Sequence, residues 1–302
     1  MNTLSIPTNS PSPPLMRAQP YLALAGAMLM FCIGTSLAKQ LFPLVGAPGT
    51  VAYRVGFSAL VLLILFRPWR LPLSRADLFA TMRYGAALGL MNLCFYMALR
   101  TIPMGLALAI EFLGPLGVAL IHSRRPGHFA AVGLAAAGLA LLLPRHASDP
   151  ALDPLGVVFA LCAALCWGLY IVFGKQTVRI PAGQAVTLGM TTAALIVVPI
   201  GIHDAGSTLL APSLMAIGLI AAIFSSSIPY SLEMLALKRM PAARFGVLLS
   251  IEPAIGALAG GLLLGERLAP LQWLAIGLVV IASIGSVLAN GRSRATSEAL
   301  PC

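Results

Sequence analysis

Stretches of roughly 17 to 25 apolar residues, parted by short gaps of charged residues, proline and glycine, fill most of the chain, and that is the length an α-helix needs to cross a bilayer. They predict ten membrane-spanning helices, near residues 21–41, 48–66, 79–99, 103–122, 128–144, 154–174, 183–202, 212–237, 241–263 and 270–289. Ahead of them, residues 1–20 hold five prolines with several serines and threonines and predict a disordered cytoplasmic tail. The first apolar stretch has the length of a full span and no small-residue cleavage pattern. It reads as a helix that stays, not as a signal peptide.

The pattern repeats. Residues 98–120, "ALRTIPMGLALAIEFLGPLGVAL", lie on residues 236–258, "ALKRMPAARFGVLLSIEPAIGAL", without a gap, pairing Pro103 with Pro241 and Pro115 with Pro253. "LAKQ" at 37–40 falls on "FGKQ" at 173–176 in a similar way. Two halves follow, residues 21–145 and 150–290, with a short cytoplasmic tail at 291–302. Five helices per half is an odd number, so the second half enters the membrane from the opposite side. The expected fold is an all-α membrane protein of ten helices in two inverted five-helix repeats. Such repeats hold a cargo near the bilayer midplane, where their rocking exposes it to either side.

Composition agrees. Of 302 residues 59% are hydrophobic and 9% charged, against about 25% charged in a soluble domain. The net charge of +10 would suggest nucleic acid in a soluble chain, but the basic residues sit in the gaps between apolar runs, where they set orientation. With the N-terminus inside, Arg17, Arg67, Arg70, Arg75, Arg83, Arg124, Arg125, Lys175, Arg179, Lys238, Arg239, Arg244, Arg292 and Arg294 collect on the cytoplasmic side, against Lys39, Arg100, Arg145 and Arg267 outside. Both termini are expected in the cytoplasm, and no nucleic-acid partner is expected. Five cysteines, at 32, 94, 162, 166 and 302, form no CxxC pair. The four histidines lie at or near helix ends, with no HExxH. No metal, cofactor or enzymatic constellation is expected.

Charges inside the spans carry the functional signal. A carboxylate at the bilayer centre costs at least roughly 2.5 to 3.5 kcal/mol, so it must be paired, protonated or facing water. Glu111 lies midway along the fourth span and Glu252 is as central in the ninth, three positions apart in the repeat register. Pro115 and Pro253 follow them, each removing a helix hydrogen bond. Glu233 lies near a cytoplasmic end, within a helical turn of Lys238 and Arg239. Arg54 is about six residues into the second span, within snorkelling reach of the surface, and Lys39 ends its helix on the outer side. Asn92, Tyr96, Trp167, Tyr170 and Tyr230 are further span residues able to line a cavity or to join helices. In "SSSIPYSLE", residues 225–233, Pro229 frees the carbonyl of Ser225, so the eighth helix is expected to kink beside Ser227 and Tyr230.

A small zwitterion suits such a set. Glu111 or Glu252 can accept from its ammonium, and Arg54, Lys39 or a broken-helix amide can donate to its carboxylate. Other readings stay open: cationic or lipophilic cargo, a membrane enzyme, or a structural subunit.

"SLAKQLFPLVGAPGTVAYR" (36–54), "FRPWRL" (66–71), "IEFLGPLGVALIHSRRP" (110–126), "IPYSLEMLAL" (228–237) and "LSIEPAIGALAGGLLLGE" (249–266) resemble the EamA-type drug/metabolite transporter superfamily. Within it they are similar to the branch that exports threonine and homoserine across the bacterial inner membrane. The resemblance spans roughly residues 20–290 and leaves the Pro-rich start and the "GRSRATSEALPC" end unmatched. It implies ten helices in two inverted halves and proton-driven efflux of a small amino acid.

Overall fold

The structure, a computed structural model, describes residues 14–122, 126–140, 152–239, 245 and 248–298. Among them every regular element is helical: α1 (Pro14–Lys39), α2 (Phe42–Phe66), α3 (Arg75–Ala98), α4 (Met104–Glu111), α5 (Leu113–His122), α6 (Pro126–Ala140), α7 (Pro154–Gly174), α8 (Ala182–Ala205), α9 (Pro212–Ala222), a π-helical turn (Ile223–Ser227), α10 (Ile228–Arg239), α11 (Glu252–Leu264) and α12 (Pro270–Glu298). Among the described residues six stretches are long and apolar enough to cross a membrane: Ala18–Lys39, Phe42–Phe66, Arg75–Ala98, Pro154–Thr177, Ala182–Leu210 and Pro212–Ala236. Met104–Val118, Glu252–Leu264 and Pro270–Gly285 are shorter apolar helices. The chain is a multi-pass, all-helical membrane protein.

Several boundaries move from their expected places. α1 begins at Pro14, so part of the expected N-terminal tail is helical; proline suits a first turn, where its missing N–H has no partner to lose. Residues 1–13 lie outside the described residues. α2 gains a short helical stretch from Phe42 ahead of the expected span, and Gly46, at φ +68° in the left-handed region open to glycine, kinks the helix ahead of Pro48. α12 runs to Glu298, through most of the expected C-terminal tail.

Helices pack in pairs across the chain: α2 on α8, α3 on α7 and α8, α1 on α10, α4 on α11, and α6 on α12. Without a hydrophobic drive between helices in lipid, close approach rests on small residues. A Cβ at Gly85 would collide with the Gly189 carbonyl, and one at Gly114 with that of Ala164. Large apolar side chains such as Ile64, Leu195 and Leu262 stand on the outside, where lipid rather than water is their solvent.

Candidate functional site

Three prolines interrupt three helices, and the interruptions shape the centre of the molecule. Pro115 has no N–H for the Glu111 carbonyl, and the expected fourth helix divides at Phe112, so that Glu111 is the last residue of α4. Pro253 likewise cannot bond Leu249; Ser250 and Ile251 form a turn, and α11 restarts at Glu252 with Pro253 in its first turn. Pro229 leaves the Ser225 carbonyl free, and the chain there widens into the π-helical turn Ile223–Ser227 instead of simply kinking.

These breaks border a cavity whose empty space, counting its opening to solvent, is about 630 Å³. Glu111, Glu233 and Glu252 all line it. So do Asn92 and Phe95 of α3, Phe31 of α1, Trp167 and Tyr170 of α7, and Pro229 and Tyr230 of α10. Glu111 is 4% exposed and Glu252 8%, and among the described residues none of the three carboxylates has a hydrogen-bond or ion-pair partner. Arg239 donates to Gln19 rather than to Glu233, and the side chain of Lys238 lies outside the described residues.

Arg54 does not snorkel. It is fully buried, with Nε donating to Ser225 Oγ at 2.9 Å, Nη2 to the Ser225 carbonyl at 2.8 Å and Nη1 to Asn92 Oδ1 at 2.6 Å. The rings of Phe31 and Tyr96 lie 5.2 and 5.0 Å from its guanidinium carbon, a cation–π environment that offsets part of the lost hydration. Because guanidinium has only donors, Asn92 must turn its oxygen to Arg54. Its Nδ2 then donates to the Leu88 carbonyl at 2.8 Å and to the Tyr230 hydroxyl at 3.3 Å. Tyr230, accepting from Asn92, keeps its own proton for a group in the cavity.

The structure thus gathers Glu111, Glu233, Glu252, Asn92, Trp167, Tyr170 and Tyr230 at one place, with Arg54 directly behind. It sets Tyr96 against Arg54 rather than in the cavity, and turns Ser227 outward from it, where its hydroxyl donates to Ser58 Oγ at 3.0 Å. Lys39 stands apart, paired with Glu266 at 2.7 Å. Sequence reading freed the Ser225 carbonyl but did not pair it with Arg54, and it gave Glu266 no role; a serine in a run of three gives no sign of which one a distant arginine will take.

Comparison with known proteins comes to the same place. Residues 154–288 match the EamA-like transporter family. The chain is 46% identical over 269 residues to the threonine/homoserine exporter RhtA of Escherichia coli (strain K12), covering 89% of this chain and 91% of that protein. It is 45% identical, with the same coverage, to RhtA of Salmonella typhimurium (strain LT2), and 27% identical over 193 residues, 61% of this chain and 62% of that one, to the uncharacterized inner membrane transporter YedA of E. coli (strain K12). A solved crystal structure at 19% identity superposes with a TM-score of 0.58 over 91% of this chain and 98% of its own, which shows a shared fold.

Proposed function

Since the chain belongs to the EamA-like transporter family, we propose that it exports small hydrophilic amino acids, threonine and homoserine foremost, across the bacterial inner membrane. It does so as a proton antiporter of ten helices in two inverted halves, residues 21–145 and 150–290, with both termini in the cytoplasm and the cavity presented to one side at a time. The observation that carries this reading is the set of three carboxylates that line one cavity beside Phe31, Trp167 and Tyr170, Glu111 and Glu252 buried and none of the three with a partner among the described residues. A buried acid left without a partner is expensive and is explained when a cationic group completes it.

The cargo's ammonium takes the place of that partner at Glu111 or Glu252. Its carboxylate accepts a hydrogen bond from the Tyr230 hydroxyl, at the end of a chain in which Arg54 polarises Asn92 and Asn92 polarises Tyr230. The guanidinium itself stays committed to Asn92 and Ser225, so it acts on the cargo through them. Proton and ammonium then compete for one site, which couples their movements.

The test is flux of labelled threonine and homoserine in proteoliposomes under an imposed pH gradient. Gradient-driven flux is expected, and Glu111→Gln should abolish the drive; full gradient-driven transport by that variant would reject Glu111 as the coupling residue. The number of acids favours one further reading. Three carboxylates with Trp167, Tyr170 and Phe31 around them exceed the needs of one ammonium and would also suit a lipophilic cation. Protection of cells against hydrophobic cations, but not against homoserine, would establish that cargo instead.

A further inference from the structure

At the end of the bundle away from Glu233, three elements meet on one carboxylate. Glu266 Oε1 accepts from Lys39 Nζ at 2.7 Å, and Glu266 Oε2 accepts from the backbone N–H of Met104 at 2.9 Å. Lys39 is the last residue of α1, Met104 is the first of α4, and Glu266 follows α11. The first two belong to one half of the chain and the third to the other.

The local fold aims Glu266 there. Gly265 ends α11 at φ +67°, a left-handed cap natural to glycine. The Glu266 N–H then bonds back to the Gly260 carbonyl at 3.1 Å, returning the chain over the helix end. Gly260 also keeps the space free, because a Cβ there would strike Glu266 Oε2. At 21% and 13% exposure Lys39 and Glu266 are partly shielded from water, so their attraction is less screened than that of a surface pair.

We infer that Lys39, Glu266 and the Met104 amide form a latch that closes the proposed outer mouth of the cavity and must part for cargo to leave. The inference rests on the alternating-access reading. α4 carries the latch at its first residue and the cavity acid Glu111 at its last. It also packs directly on α11, where Gly105 admits Ala257 and Gly256 admits Leu108. A movement of α4 against α11 that changes the surroundings of Glu111 therefore also strains the bonds to Glu266. Cavity and mouth are two ends of one short rigid helix.

The test uses the full-length chain with its five cysteines replaced and Met91→Cys as a reporter lining the cavity, reconstituted in vesicles of either orientation. Labelling by a membrane-impermeant thiol reagent is expected to be slow from the side bearing Lys39 and Glu266 and faster from the other. Glu266→Gln, Lys39→Met and Gly260→Ala should each raise labelling from the latch side severalfold. The exchange Lys39→Glu with Glu266→Lys, which keeps the pair but loses the carboxylate on Met104, should return it part of the way. Latch-side labelling unchanged by both Glu266→Gln and Lys39→Met would overturn the inference, as would rapid latch-side labelling in the parent. Threonine and homoserine counterflow in the same vesicles separates the two readings: no counterflow with the expected labelling sinks the cargo and keeps the latch, and counterflow with unaltered labelling sinks the latch alone.

Discussion

Arg54 donates from Nη2 to the backbone oxygen of Ser225 at 2.8 Å, the carbonyl that Pro229 leaves without a helical partner. A cation on α2 thus satisfies a defect on the π-helical turn that joins α9 and α10. Removing the guanidinium orphans that carbonyl and Asn92 Oδ1 together, and each buried unsatisfied acceptor costs about 1–3 kcal/mol. Arg54→Met is expected to lower the melting temperature in detergent by several degrees. Arg54→Lys should recover only part of it, because one ammonium cannot reproduce the planar fork across two partners.

Pro229→Ala makes the opposite change. It returns an N–H at the position that bonds the Ser225 carbonyl in a regular helix, so the π-helical turn can tighten to α-helix and Arg54 loses an acceptor. Thermal stability is expected to stay level or rise while homoserine flux falls by about tenfold, equivalent to ~1.4 kcal/mol. Flux equal to the parent's would show that the wide turn is dispensable.

Close packing at the same turn gives a sharper steric test. A Cβ on Gly34 of α1 would lie 2.6 Å from the Phe224 carbonyl carbon and 2.7 Å from Ser225 Cα, which are backbone atoms that cannot swing aside. Gly34→Ala should cost about 1–3 kcal/mol through overpacking. Gly277→Ala, in open space on α12, is the control; it should be neutral or stabilise by roughly 0.5–1 kcal/mol, the usual gain of alanine inside a helix. The melting temperature of Gly34→Ala should therefore fall while that of Gly277→Ala holds or rises.

What sequence reading reached follows from physics that is local in the chain. Apolar stretches announce helices because lipid leaves a spanning backbone few alternatives. Pro229 announced a free Ser225 carbonyl because proline lacks one donor at a fixed offset. The acids Glu111, Glu233 and Glu252 stood out because charge within hydrocarbon is expensive. The missing part was relational. That Arg54 would bury itself against Ser225, 171 positions away, depends on how α2 meets the π-helical turn, and no spacing encodes that. Lys39 looked anomalous at its helix end for the same reason, since its partner Glu266 is 227 residues further on. The division of the fourth span at Phe112, three residues ahead of Pro115, was hidden because the break falls where the hydrogen bond is missing and not at the ring.

Outside the spans, Asp153 caps α7 by accepting from the Leu155 N–H at 3.2 Å. A hydrogen bond from the Thr101 side chain, aided by the backbone N–H groups of Leu155 and Gly156, holds its carboxyl below the usual aspartate value. A folded value below the unfolded one adds stability that is fully present above the unfolded value, near pH 3.9, and is lost as pH falls through the folded one. Asp153→Asn should therefore melt below the parent at pH 7, and the gap should shrink on acidification below about pH 4. A gap independent of pH would assign the effect to cap geometry alone.

In the proposed transport cycle the three cavity acids divide the work according to the elements that carry them. A coupling acid has to sit on a part that moves between states, and Glu111 ends the short helix whose first residue is held by Glu266. Glu252 opens α11, which carries the other side of that contact. Glu233, on α10, shares the cavity but has no such link to the latch. Glu111→Gln is accordingly expected to retain threonine counterflow while losing its response to a pH gradient. Glu252→Gln should instead raise the half-saturating threonine concentration about tenfold, a loss of ~1.4 kcal/mol of ammonium binding. Glu233→Gln should leave both within about threefold of the parent, ~0.7 kcal/mol. If Glu233→Gln alone uncoupled flux from the gradient, the proton would travel on α10, and α4 would serve the cargo without carrying its counter-ion.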